Sequence, residues 1–175
     1  MIVRSNDGLP ESIGHVRISK SKQLSSEQKQ EILDLWNEEY PANLQYNDIS
    51  ELDEYLKKFE DQNHMLLIDE NDRVKGWYAD FLRDDERWFL AILHSEIQGR
   101  RFGTQLIEMA KKANEELNGW VIKEEIYLKR NGEMYRSPIE FYRKNGFEIF
   151  DQIQLKTEKV NAIKIRWSKR NTKLI

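Results

Sequence analysis

The residues best placed to do chemistry run from 98 to 104, Gln98-Gly99-Arg100-Arg101-Phe102-Gly103-Thr104, where an apolar stretch meets an amphipathic one. Trp88 to Leu93 is nearly unbroken apolar sequence, too short for a free-standing helix and suited to a buried strand. Beyond the polar segment, Phe102, Leu106, Met109, Ala110, Ala113 and Leu117 recur at helical spacing, and Gly119 is placed to stop a helix over about 103–117. The first turn of such a helix offers unpaired backbone N–H groups and the positive end of the helix dipole. Gly99 and Gly103 let ligand oxygens approach the main chain, and Arg100 and Arg101 add full charge. The chemistry implied is the binding of an anion, with a pyrophosphate as the natural guest. A P-loop would need a Gly-Lys-Ser/Thr ending, and a dinucleotide fingerprint would need three glycines where this turn has two. Arg143 and Lys144, later in the chain, are further candidates for phosphate contact, with solvated surface charge as the alternative.

Proton-handling groups come next. Glu86 opens the strand that leads to the turn and shares a face with Trp88 and Leu90, so desolvation would make it a candidate general base. The competing reading is a solvated hairpin with Asp84 and Asp85. His94, of the residue type most used as a general base, is the second candidate base, or else a strand-end cap. Asp80, Glu124 and Glu125 are weaker options. The chain has no cysteine, which rules out an acyl-cysteine intermediate and any thiolate metal site, and His15, His64 and His94 lack ligand spacing, so no metal is expected. A net charge of −3 provides no basic field for nucleic acid, and the basic residues between Arg166 and Lys173 are too few to replace one. No apolar run approaches a membrane span and the first residues lack a secretory core, so a cytoplasmic protein is expected.

The elements that position these residues read as one domain over 1–175, with 1–13 a loosely ordered lead-in and 169–175 a loose basic tail. Val16 and Ile18 mark a first strand. Ser25 and Gln28 form a capping box for a helix whose face is Ile32, Leu35, Trp36 and Tyr40, and Pro41 stops it. Residues 40–46 read as a connecting loop, with a substrate-side wall as the alternative. A second helix after Asp48 carries Leu52, Tyr55, Leu56 and Phe59. Residues 65–68, 74–82 and 87–93 form an antiparallel meander, and 120–122 returns to the sheet after the helix. Residues 123–136 give no clear element beyond a turn at Asn131-Gly132. Ser137 as N-cap, with Glu140 as its box partner, Pro138 at the first helical position and Gly146 as the stop, define a short helix. Alternation at Phe147, Ile149, Ile153 and Leu155, and again at Ile163, Ile165 and Trp167, predicts a closing hairpin. Trp36, Tyr40, Tyr46, Trp77, Tyr78 and Trp88 read first as core.

Two of these stretches share a resemblance. Gln98 and Gly103 match the Gln/Arg-x-x-Gly-x-Gly/Ala acetyl-CoA motif of the GNAT superfamily of N-acetyltransferases, with Arg101 standing where the central Gly is usual. Residues 137–147, Ser-Pro-Ile-Glu-Phe-Tyr-Arg-Lys-Asn-Gly-Phe, resemble its second signature, Phe/Leu-Tyr-x-Lys-x-Gly-Phe; Arg136 takes the place where many members carry an Asn. The order of elements over about 14–168 also resembles that fold, in a bacterial branch of unassigned acceptor.

The resemblance implies an α+β protein with a mixed, mostly antiparallel central sheet of six to seven strands flanked by about four helices. It implies that acetyl-CoA lies on the amides of Gln98, Gly99, Arg100, Arg101, Phe102, Gly103 and Thr104. It further implies that Ile92, Leu93 and His94 splay from the next strand to pair with the pantetheine arm, and that the Tyr142 phenol supplies a proton to the departing sulfur. The expected activity is direct acetyl transfer to a primary amine, small molecule or peptide, without metal or nucleic acid, possible as a homodimer through a sheet edge near the last hairpin. The alternative is a CoA-binding sensor or partner-binding domain of the same fold without turnover.

Overall fold

The computed structural model describes residues 15–171, and its centre is a seven-stranded sheet in the order β1-β2-β3-β4-β5-β7-β6. The strands are β1 (Arg17–Ser21), β2 (Glu60–Ile68), β3 (Val74–Arg83), β4 (Glu86–Leu93), β5 (Glu116–Val121), β6 (Glu148–Lys156) and β7 (Asn161–Ser168). The helices are α1 (Ser26–Glu39), α2 (Ile49–Leu56), α3 (Phe102–Ala113) and α4 (Ile139–Lys144), with short 3-10 turns at Ala42–Leu44 and Ser95–Ile97. Neighbouring strands are antiparallel except β4 and β5, which run parallel because α3 crosses between them. The expected mixed α+β sheet is the one observed.

Alternation along the central strands divides the apolar side chains between two faces. Leu66, Ile68, Trp77, Ala79, Phe81, Trp88 and Ile92 bury the apolar sides of α1 and α2, through Ile32, Leu35, Trp36, Leu52 and Leu56. Met65, Leu67, Tyr78 and Phe89 face the other way, onto Leu106, Ile107 and Ala110 of α3 and Tyr142 of α4. The α1 capping box forms as expected: Gln28 N donates to Ser25 Oγ (3.1 Å) and Ser25 N donates to Gln28 Oε1 (2.9 Å). Asp48 caps α2 by accepting from Ser50 N and Glu51 N. Phe59 lies beyond that helix, just before β2, which starts well ahead of the expected 65.

Further boundaries differ from the sequence reading. The third helix ends at Ala113, and Leu117 and Gly119 belong to β5. Asn114, the C-cap, takes an extended conformation, and its side-chain Nδ2 donates to Ala110 O (2.9 Å) and to buried Asp80 (3.3 Å). Gly119 is small because Phe89 packs over it: a Cβ there would sit 2.9 Å from Phe89 Cε1. In α4 the N-cap is Pro138, without a side-chain cap bond; Glu140 pairs with Arg143 and no capping box closes. Gly146, at φ +80°, does end α4 as expected, with Phe147 N donating to Tyr142 O (3.1 Å). Lys169 N donates to Glu115 O (2.9 Å) and Asn171 Nδ2 donates to Glu148 Oε1 (2.5 Å), so the start of the expected loose tail is tied to the sheet; residues 172–175, and the lead-in before residue 15, lie outside the described residues.

Candidate active site

β4 and β5 start side by side and then part. Their only register pair is Trp88 with Asn118, although β4 runs on to Leu93 and β5 to Val121. The opening leaves one side of the backbone of Ala91, Ile92 and Leu93 without a strand partner, and these residues line a cavity of about 460 Å³. Gln98, Gly99, Arg101, Gly103 and Thr104 border the same cavity, as do Tyr135, Arg136, Ser137, Pro138, Phe141 and Tyr142 from the α4 side and Glu39 and Tyr40 from the end of α1.

The turn that feeds α3 carries two left-handed residues, Gly99 at φ +72° and Arg101 at φ +69°. Arg101 is the N-cap of α3 and adopts the backbone that a glycine would take there without steric cost, at a penalty of roughly 1 kcal/mol. Gln105 N is the first amide to reach back along the helix, to Arg101 O (3.0 Å), so those of Phe102, Gly103 and Thr104 precede the ladder and are available to an anion. Gln98 Nε2 donates to Leu93 O (2.8 Å), fixing the turn to the end of β4. These features fit the pyrophosphate and pantetheine of a CoA thioester: orphan amides at a helix N-terminus, a cationic side chain at the cap and an open strand edge beside them.

Tyr142 sits on α4 with 6% exposure, its ring against Phe89 at 5.6 Å in an edge-on contact. Burial pushes its phenol far above the usual tyrosine range, with the neighbouring phenol of Tyr135 adding to the shift. Burial likewise raises Tyr40 and Tyr135, so all three phenols on the cavity stay protonated at neutral pH.

A family model described as an acetyltransferase (GNAT) domain matches residues 61–149. The chain belongs to the GNAT acetyltransferases. It is an acyltransferase with acetyl-CoA as the acyl donor. A search of curated proteins finds no match. Among solved structures, the fold is similar to that of an aminoglycoside 6'-N-acetyltransferase complexed with coenzyme A, at a TM-score of 0.62 and 15% identity, covering 87% of this chain and 96% of that one. It is also similar to the spermidine/spermine N-acetyltransferase SpeG from Vibrio cholerae in complex with manganese ions, at a TM-score of 0.59 and 15% identity, covering 91% and 97% of the two chains. At these identities the likeness concerns the fold.

Within this GNAT domain the cavity gathers Ile92, Leu93, Gln98, Gly99, Arg101, Gly103, Thr104 and Tyr142 from the sequence-predicted set. Arg100 and Lys144 are exposed and outside the lining, Arg100 lying over the Phe102 ring at 5.6 Å. Glu86 is not brought to the site. It stands at the opposite end of β4, about 23 Å of extended strand from Leu93, and pairs with Lys164 (3.2 Å). His94 follows β4 but turns from the cavity: its Nε2 meets Glu38 (3.2 Å) and its Nδ1 accepts from Glu96 N (3.2 Å), the capping alternative. Of the weaker options, Asp80 is buried in a network with Tyr78, Asn63 and Arg87, and Glu125 bonds Arg136.

Two residues escaped the sequence reading. Glu39, at the end of α1, is 7% exposed and lines the cavity, and Tyr135 forms the wall before α4. Residues 40–46 are partly wall as well as connection, because Tyr40 lines the cavity. Among the described residues no group of three His, Asp or Glu side chains could hold a metal ion, and no helix is long and apolar enough to cross a membrane.

Proposed function

We propose that the chain is a single acyltransferase domain over 1–175 that transfers an acetyl group from acetyl-CoA directly to the primary amine of a small molecule or peptide. The observation that carries this reading is the opening between β4 and β5, which joins the anion-binding turn at 98–104 to Tyr142 within one cavity. Acetyl-CoA supplies an activated thioester. The amides of Phe102, Gly103 and Thr104, with Arg101, hold its phosphates, and the open backbone of Ala91 to Leu93 aligns the arm and offers main-chain N–H to the carbonyl oxygen. The amine nitrogen bonds to the carbonyl carbon, the carbon–sulfur bond breaks, and the Tyr142 hydroxyl, hydrogen-bonded to the sulfur, gives it a proton while regaining one through water from the positively charged attacking nitrogen, so that thiol and neutral amide leave and the phenol is restored. Tyr142 lines the cavity, where its side chain can face the bound thioester. Glu86 and His94 are not retained as bases, since neither borders the cavity; the amine proton passes to water. A cytoplasmic location and pairing of two copies through the outer strand β6, where Ile153 and Leu155 are exposed, belong to the same reading.

The test is thiol release from acetyl-CoA with a panel of primary amines, for the parent and Tyr142→Phe. Loss of the proton donor should lower kcat by roughly a hundredfold with the KM for acetyl-CoA nearly unchanged. Cofactor binding without turnover of any amine would favour the sensor reading, and full activity in Tyr142→Phe would remove Tyr142 from the mechanism.

A further inference from the structure

Glu39 is the only carboxylate lining the cavity among the described residues, and its position is costly. It is the last residue of α1, where the final carbonyls carry the negative end of the helix dipole, and the last turn of α1 has no basic residue of its own. The carboxylate is nevertheless buried, and its counter-ion comes from far along the chain: Lys129 Nζ lies 3.1 Å from Glu39 Oε2 at 11% side-chain exposure. A buried ion pair of this kind commonly stabilises no better than an apolar pair of similar volume. Packing therefore gives no reason for a charge here, whereas a cavity wall that must recognise a cation does.

The surroundings suit that task. Glu39 Oε1 accepts from Ser95 N (2.9 Å) and Oε2 from Lys129, which uses two of the roughly four acceptor positions of a carboxylate. Tyr40 and Tyr135 line the cavity with their ring centroids 6.3 Å apart, offering aromatic faces to an ammonium or its alkyl chain. The other charged residues on the wall are Arg101 and Arg136, so cationic groups accompany the cofactor turn and the α4 approach while the end of α1 is the anionic part.

We propose that Glu39 is the specificity-determining residue for the acceptor: its carboxylate holds the ammonium of an alkylamine beside the packed pair Tyr40 and Tyr135, with Lys129 as the resident counter-ion. The inference rests on the acetyl-transfer reading above and assigns Glu39 no proton transfer. It is tested by binding rather than turnover. Calorimetry would compare n-butylamine with the neutral n-butanol and the anionic butyrate, on the parent, Glu39→Gln and Lys129→Met, with coenzyme A affinity measured alongside. The parent should bind butylamine in preference to both analogues. Glu39→Gln, whose Oε1 still accepts from Ser95 N, should weaken butylamine at least roughly tenfold and leave coenzyme A binding unchanged. Lys129→Met should bind butylamine more tightly. Equal butylamine binding by parent and Glu39→Gln overturns the proposal, as does a parent that binds butylamine no better than butanol. Parallel loss of coenzyme A binding and thermal stability in Glu39→Gln also overturns it and assigns the residue to structure. If amine selection is found while no amine is acetylated, the transfer reading fails and this assignment stands; turnover with no dependence on Glu39 gives the reverse.

Discussion

His64, in β2 under the α1 side of the sheet, makes stability fall with pH in a range where most proteins are still at their best. The side chain is 1% exposed, and desolvation lowers its pKa from 6.5 to about 4, with Asp80 opposing part of the shift. Its Nδ1 accepts from Trp77 Nε1 (3.1 Å), so Nε2 carries the proton and donates to Gln62 Oε1 (2.7 Å). Protonation would set an N–H against the indole N–H. Below pH 6.5 the unfolded chain takes up a proton that the folded chain refuses until about pH 4. Stability is therefore full above pH 6.5 and lost as pH falls through that window. Integrating the linkage between about pH 7.5 and about pH 5 gives a loss of about 2 kcal/mol. The surface carboxylates held low by hydrogen bonds, Asp48 and Asp61 among them, are depressed below their ordinary range, so their contribution disappears only at more acidic pH. Urea unfolding followed by tryptophan fluorescence across this range measures the slope. His64→Gln keeps an acceptor for Trp77 and takes no proton, so its profile should be nearly flat over the same interval. A flat parent, or a variant with the parental slope, would refute the reasoning.

Two further substitutions probe the scaffold of the cavity. Gly119→Ala puts a methyl 2.9 Å from Phe89 Cε1, so it should cost about 1–3 kcal/mol in denaturant unfolding, and a change below about 0.5 kcal/mol would show that the ring moves freely. Arg101→Gly relieves the left-handed residue at the cap of α3 and should be neutral to stabilising by up to about 1 kcal/mol, while weakening acetyl-CoA binding and reducing its salt dependence; destabilisation would mean that the arginine side chain, not its backbone, organises the turn.

The cofactor half of the site was legible in the sequence because it is local. Gly99, Gly103 and the change from apolar strand to amphipathic helix lie within a few residues of one another, and the main chain does the binding. Arg101 looked like a departure and is explained by its φ of +69°, which asks for glycine but accepts another residue at modest strain. Long-range contacts account for what was missed. Leu117 fits the helical period of α3 as well as Ala110 does, but Asn114 is extended, bonded to Asp80 on β3, and the residues after it pair with β7. Glu86 was read on the correct face, since Lys164 joins it beside Trp88, but at the wrong end of β4, because alternation gives a side and not a distance. Glu39 carries no signal of its own in the sequence; its meaning depends on Lys129, ninety positions later, and on a wall formed by the irregular residues 123–136.

The most direct test of the account is calorimetric binding of acetyl-CoA to the parent and to Arg101→Glu. The account predicts binding in the parent, and its loss in the variant, where a negative charge replaces a positive one at the N-cap of α3 and opposes the phosphates. Equal affinity in the two proteins would contradict a cofactor site on residues 98–104, and no binding in the parent would contradict the enzyme reading itself.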